Sequence, residues 1–291
     1  MNETTKNQIL LHSVVVIFGF TGILGKLISI DAIPLVFWRT SIGGLVILAW
    51  LTIRKQITKK SIKTILKMSG VGLLVAGHWV LFFAAIKTST VSVALVMLAT
   101  TPMFVGFVEP IVFKRKLDWK EIFISAIVIV GVSTIFKISG EHHLGMILGL
   151  ASAFLAGLFA TFNGVLVKTY DAKNISMIEL LSASFGTTIL LACTGGVNSE
   201  LFLLSGSDWL WISILSVVAT SFAFIASTSV MKVLTPFTTA IAINLEPVYA
   251  IILAVIFFGD EEIMRIEFYV GASLIIGAVI INTLIKREKK K

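Results

Sequence analysis

Long apolar runs separated by short polar clusters recur from one end of the chain to the other. Ten of them, roughly 9–29, 33–53, 67–87, 90–113, 120–138, 146–167, 176–195, 208–231, 236–258 and 265–285, come close to the ~20 residues that carry a helix across a bilayer. The strict alternation over ~10-residue segments that barrel strands need is not seen. The connections are short, which leaves no room for an inserted soluble domain. The pattern predicts an all-α integral membrane protein with ten transmembrane helices.

The ninth run breaks its own pattern. Asn244, Glu246 and Pro247 sit in the middle of an otherwise apolar stretch. A carboxylate at bilayer depth costs ~2.5–3.5 kcal/mol on insertion scales and so normally faces a cavity or a partner. Pro247 removes a backbone donor beside it and crowds the carbonyl four residues back. The fourth run carries an echo in Thr101-Pro102, 145 residues earlier. Each proline is followed about twelve residues on by a charged loop, basic at Lys114-Arg115-Lys116 and acidic at Asp260-Glu261-Glu262. Pro102 and Pro247 are therefore expected to bend equivalent helices. The opposite loop charges suggest that the two copies cross the membrane in opposite senses, as in an inverted repeat. The repeats divide the chain into residues 1–138 and 146–286, with a linker at 139–145 and a basic tail at 287–291. Five spans per half, an odd number, make the second half enter from the other face.

Charge distribution orients the bundle. With the N-terminus inside, nineteen Lys and Arg fall in inner segments and three (Lys87, Lys137 and Arg265) in outer ones, while Lys26 and Arg39 lie within spans. Both termini are expected to be cytoplasmic, in the inner (cell) membrane. Composition agrees: 57% hydrophobic, 14% charged and a net charge of +8. The basic excess sits in loops and tail without a nucleic-acid-reading module, so nucleic acid is not an expected partner. One cysteine, Cys193, excludes an internal disulfide, and four scattered histidines suggest no metal site. The first run is too long for a signal-peptide core and lacks a small-residue cleavage site, so it reads as a retained span. No phosphate loop or ATP motif is present and no cofactor is expected, so any transport through such a chain would have to be driven by gradients.

Several residues are candidates for a mid-membrane site. Glu246 leads. His78 lies at similar depth in the third span and can switch charge near neutral pH, which makes it the expected facing partner of Glu246. Trp79, one residue on, points about 100° away around the helix. Asn163 and Asn244 can bond a polar substrate or another helix. Lys26 and Arg39 sit in the outer thirds of their spans, where long side chains snorkel. Glu109 and Glu179 lie near inner ends and could pair with inner-loop lysines.

The order and spacing of these motifs resemble the EamA-type permeases of the drug/metabolite transporter superfamily. The features that carry the likeness are Lys26 closing the first span, Pro34 with Arg39 in the second, and the His78-Trp79 run to Lys87 in the third. Thr101-Pro102 and Leu245-Glu246-Pro247 complete them. The Gly-Glu often found after the proline-bearing helix is replaced by Lys114-Arg115 in the first half and approximated by Gly259-Asp260-Glu261 in the second. The resemblance implies a secondary carrier, commonly an exporter of amino acids or other small metabolites. It also implies a cavity lined by the first, third and fourth spans and their repeat mates. Protons are a candidate coupling ion, and a chain that encloses its own pathway is expected to work as one copy. The rival readings are a membrane-embedded enzyme using His78 and Glu246, which lacks a nucleophile or metal constellation, and a channel, which usually needs oligomeric symmetry.

Overall fold

The computed structural model describes residues 3–116, 119–138, 142–243 and 245–288. Among these the chain is helical throughout: α1 (Glu3–Leu27), α2 (Ala32–Ile53), α3 (Ile62–Thr88), α4 (Val91–Leu98), α5 (Thr101–Val112), α6 (Trp119–Ile138) and α7 (His143–Leu166). There follow α8 (Ala172–Cys193), α9 (Gly206–Ile214), a π-helical stretch (Leu215–Phe222), α10 (Ala223–Val230), α11 (Pro236–Ile243), α12 (Glu246–Phe258) and α13 (Ile266–Glu288). Seven described stretches are long and apolar enough to cross a bilayer: Thr5–Leu27, Ala32–Ile53, Ile62–Thr88, Val91–Val112, His143–Leu166, Ala172–Cys193 and Gly206–Val230. The other three expected runs fall on α6, on the α11–α12 pair and on α13, which holds the shorter apolar helix Phe268–Ala278. The second half starts earlier than its sequence boundary, since α7 begins at His143.

Two of the long runs are not continuous helices, and the reason is local. The fourth run splits at Ala99–Thr100 into α4 and α5, with Pro102 in the first turn of α5. Pro102 has no N–H for the Leu98 carbonyl, and the Thr101 hydroxyl donates to that carbonyl instead at 2.7 Å. The ninth run splits ahead of α12, which begins at Glu246 with Pro247 in its first turn. Asn244 lies outside the described residues. In the eighth run, the Thr220 and Ser221 hydroxyls donate to carbonyls five residues back, Leu215 at 2.8 Å and Ser216 at 2.9 Å. Side-chain competition of this kind accompanies the π-helical stretch.

The two halves interlock. α2 packs on α8, α6 on α13, and α3 on both α7 and α8, while α1 packs on α10 and α12. The broken helices cross, so that α4 lies on α12 and α5 on α11. Small residues allow these approaches. A Cβ on Gly43 would come 3.1 Å from Thr220 Cγ2 and 3.3 Å from the Ser216 carbonyl. The connections gather at two ends. At one end Thr58 N–H donates to Asn174 at 3.0 Å and Lys168 donates to the Lys232 carbonyl at 2.8 Å, bringing three basic loops together. At the other, Asp208 accepts from the Ser29 N–H and hydroxyl at 2.7 Å, and Lys26 meets Glu261 and Glu262 at 3.0 Å. Between the ends the outer surface is apolar: Leu45, Ile111, Phe185 and Ile256 are all exposed. Such a surface suits lipid rather than water.

Candidate functional site

Where the halves meet, a cavity opens with room for water over about 110 Å³. It draws residues from α1, α2, α3, α5, α7, α10, α11 and α12 and from the α4–α5 break. Five aromatic side chains, Phe18, Trp79, Phe82, Phe159 and Phe224, stand in its largely apolar wall. Trp79 and Phe224 meet edge to face at 5.7 Å, Phe159 lies 6.3 Å from Phe224, and Phe82 sits beside the His78 ring.

Two charges stand on this apolar wall. Arg39 of α2 is only 1% exposed. Its Nε donates to the Thr220 hydroxyl at 2.7 Å, and its guanidinium lies 3.8 Å from the Trp79 ring centre. A cation on an aromatic face gains up to ~2 kcal/mol when desolvated, less than the several kcal/mol that burying an ion costs. Nη1 finds no partner. The guanidinium therefore keeps an unused donor that favours an anionic or carbonyl group. Glu246 opens α12, where the helix N-terminus favours a negative charge. It is buried, and among the described residues no side-chain hydrogen bond or ion pair within 4 Å reaches it. Its principal charged neighbour is Arg39.

His78 also lines the cavity, but its anchor is different from the one its depth suggests. Its Nδ1 lies 3.0 Å from the Ser152 carbonyl on α7 and 2.8 Å from the Ser152 hydroxyl, and that hydroxyl donates to the His78 carbonyl at 2.9 Å. A carbonyl only accepts, so Nδ1 carries a proton, and Nε2 is the nitrogen left to turn outward. The electrostatic partner of Glu246 is thus Arg39, because α2 brings the guanidinium in over Trp79, which depth along the span could not reveal.

The remaining candidates divide. Trp79 and Asn163 line the cavity together with His78, Arg39 and Glu246. Lys26 does not. It is held at the acidic end by Glu261 and Glu262 and lies 4.4 Å from the Phe258 ring centre. Pro102 is buried at the start of α5 beside the cavity residue Thr101, and Asn244 and the Pro247 side chain lie outside the described residues. Thr21, Thr239, Phe82, Phe159 and Phe224 were not singled out from sequence and do line the cavity. The Thr21 and Thr239 hydroxyls and the Asn163 carbonyl oxygen are buried without partners. With Arg39 Nη1, four unpaired polar atoms therefore belong to residues of one chamber. The repeat spacing was the available signal. Thr21 lies 142 residues before Asn163, and Trp79, Leu98 and Thr101 lie 145 before Phe224, Ile243 and Glu246, all of them cavity residues. Among the described residues no group of three or more His, Cys, Asp or Glu could hold a metal.

Comparison with known proteins places this architecture. The model of the EamA-like transporter family matches twice, over residues 6–137 and 143–284. The uncharacterised transporter YxxF of Bacillus subtilis (strain 168) is 25% identical over 283 residues, 94% of this chain and 88% of that one. A solved crystal structure superposes with a TM-score of 0.71 at 14% identity, covering 97% of this chain and 99% of the other, a likeness of fold.

Proposed function

The chain belongs to the EamA-like transporter family, a family of transporters and not of enzymes, and on that premise we propose that it carries small zwitterionic metabolites, amino acids first among them, out of the cell by alternating access. The observation that carries this reading is that Arg39 and Glu246 line one cavity among aromatic rings, with Arg39 the principal charge acting on Glu246. A substrate carboxylate fits the unused Nη1 of Arg39, and a substrate ammonium fits Glu246. The rings of Trp79, Phe82, Phe159 and Phe224 take an apolar side chain. His78 Nε2 and Asn163 Oδ1 are additional acceptors.

The packing supports two five-span repeats of opposite sense. Under that symmetry α2 and α8 are mates and pack on each other, as do α6 and α13. The contact of α4 with α12 has its counterpart in α5 with α11. The cavity draws residues from both repeats, so rocking of one repeat against the other would alternate access to it. Export is the direction we favour because the cavity extends to Asn163, Met231 and Thr239, near the basic loops that the positive-inside rule assigns to the cytoplasm, the side from which an exporter loads. The acidic end is closed by Lys26, Glu261 and Glu262.

The test is counterflow of a labelled amino-acid panel in proteoliposomes, with wild type and Glu246→Gln. At least one apolar-side-chain amino acid is expected to exchange, and the Gln variant to lose that exchange while remaining monodisperse. Equal exchange by both proteins contradicts the assignment of Glu246.

A further inference from the structure

Five described carboxylates are buried, and four of them have an evident source of positive potential. Glu109 accepts from the Phe237 N–H at 3.1 Å and lies 3.5 Å from Arg115. Asp208 accepts from Ser29 and Ser205 and lies in the field of Lys87. Glu262 meets Lys26 and accepts from the Val91 and Ser92 N–H groups. Glu246 sits in the field of Arg39. Glu179 is the exception. It is 0% exposed on α8, and its one hydrogen bond is from the neutral Asn163 Nδ2 to Oε2 at 3.1 Å, leaving Oε1 without a partner.

The charged groups on the surrounding elements are committed elsewhere. α8 packs on α2, α3 and α10. α2 brings Arg39, whose Nε donates to Thr220, whose guanidinium lies over Trp79, and whose free Nη1 makes no ion pair with Glu179. α3 brings His78, engaged with Ser152, exposed Lys63 and Lys67, and Lys87, which donates to the Ile28 carbonyl. α10 carries no titratable residue. On α8 itself Lys173 donates to Gln56, and on α7 His143 lies at the opposite end of the helix from Asn163. Among the described residues no basic nitrogen lies within 4 Å of the Glu179 carboxylate.

An uncompensated carboxylate at this depth is costly and calls for a positive charge from outside the chain. On Glu179, on its hydrogen-bond partner and one turn before it on α8, the buried atoms without a partner among the described residues are oxygens: Glu179 Oε1, Asn163 Oδ1 and Ser176 Oγ. A single buried carboxylate whose one partner is a neutral amide is balanced by one positive charge, a proton or a sodium ion. A magnesium or calcium ion demands six or more oxygens. Asn163 touches the carboxylate and also lines the substrate cavity, so occupancy of the one is transmitted to the other through a single amide. We infer that Glu179 holds the coupling cation, one positive charge taken up beside Oε1 and sensed in the substrate cavity through Asn163. This rests on the carrier reading above and adds the ion to it.

Two measurements on the full-length protein test this. In proteoliposomes loaded with an exchanged amino acid, an imposed pH gradient or an imposed sodium gradient is expected to drive uphill accumulation. Glu179→Gln, which keeps the size and can still accept from Asn163, should cut that accumulation roughly tenfold or more while counterflow falls far less. Response to the pH gradient alone assigns the proton, and response to the sodium gradient alone assigns sodium. Undiminished gradient-driven accumulation by Glu179→Gln, or accumulation in wild type that answers neither gradient, overturns the inference. The second measurement needs no substrate. Infrared difference spectra of wild type against Glu179→Gln should show either the carbonyl stretch of a protonated carboxylic acid or a carboxylate band that sodium shifts and potassium does not. Identical spectra in both conditions overturn the cation site. Absence of counterflow for every amino acid, with the Glu179 band present, instead faults the amino-acid reading and leaves the cation site standing.

Discussion

Arg39 is the most deeply buried charged residue lining the cavity. Its charge is buried, its Nε is fixed by Thr220, and its plane lies on Trp79, so the fork is held at one orientation. Lysine keeps the charge but not the planar fork or the stacking. Arg39→Lys should therefore lower counterflow of a zwitterion about tenfold, the equivalent of ~1.4 kcal/mol in substrate interaction. Transport assays at matched protein level check this, and an unaltered rate would show that the guanidinium only supports the helices. Trp79→Phe tests the other side of the same contact. A smaller ring with a weaker cation attraction should reduce transport less than Arg39→Lys does. Glu246 stood out in the sequence because a carboxylate inside an apolar run needs a cavity or a partner helix to face. Arg39 was harder to weigh, because snorkelling explains an arginine near a span end equally well. Only the packing of α2 against the π-helical stretch and α3 shows that its side chain turns inward.

At the scale of elements, the helix breaks at 99–100 and ahead of Glu246 make the site. Each break frees backbone groups in mid-bundle, and each is followed by a proline. Thr101 shows how the cost is met, with its hydroxyl donating to the Leu98 carbonyl. Thr101→Val removes that bond at nearly constant volume and should destabilise the protein by ~1 kcal/mol, read as a lower unfolding temperature in detergent. A larger effect is expected at the acidic end. Glu262 is fully buried and accepts at the N-terminus of α4 from Val91, Ser92 and the Ser92 hydroxyl while pairing with Lys26. Glu262→Ala strands these donors and should cost ~3 kcal/mol or more, because removing one partner of a buried pair leaves the other uncompensated. Glu109 makes a matching contact at the other end, accepting from the N-terminus of α11. Neither cap could be read from sequence, since each joins helices more than a hundred residues apart. The apolar runs themselves could, because lipid demands length and hydrophobicity of every crossing element.

For the whole molecule, the family model matches twice, over residues 6–137 and 143–284, and each match contains one of the two proline motifs spaced 145 residues apart. The interlocked packing explains why sequence alone could find the repeat but not the cavity. The repeat leaves a numerical trace in Thr101-Pro102 and Leu245-Glu246-Pro247, whereas the cavity depends on how α1, α3, α7 and α10 close around the crossing of the broken helices. Orientation is a prediction at this scale. Reporter fusions should place the loop after α12, at Asp260, outside and the loop after α5, at Lys114, in the cytoplasm. A cytoplasmic signal at Asp260 would reverse the proposed direction of transport.

The central claim is that Arg39 and Glu246 together read a zwitterion, and three molecules sharing one ring test it most directly. Phenylalanine carries both charges, 3-phenylpropionate only the anion, and 2-phenylethylamine only the cation. In counterflow with wild-type proteoliposomes the account predicts that phenylalanine moves at least tenfold faster than either single-charge analogue. It also predicts that Glu246→Gln erases the advantage over 3-phenylpropionate. Equal transport of all three, or a preference for one single-charge analogue over phenylalanine, would contradict it.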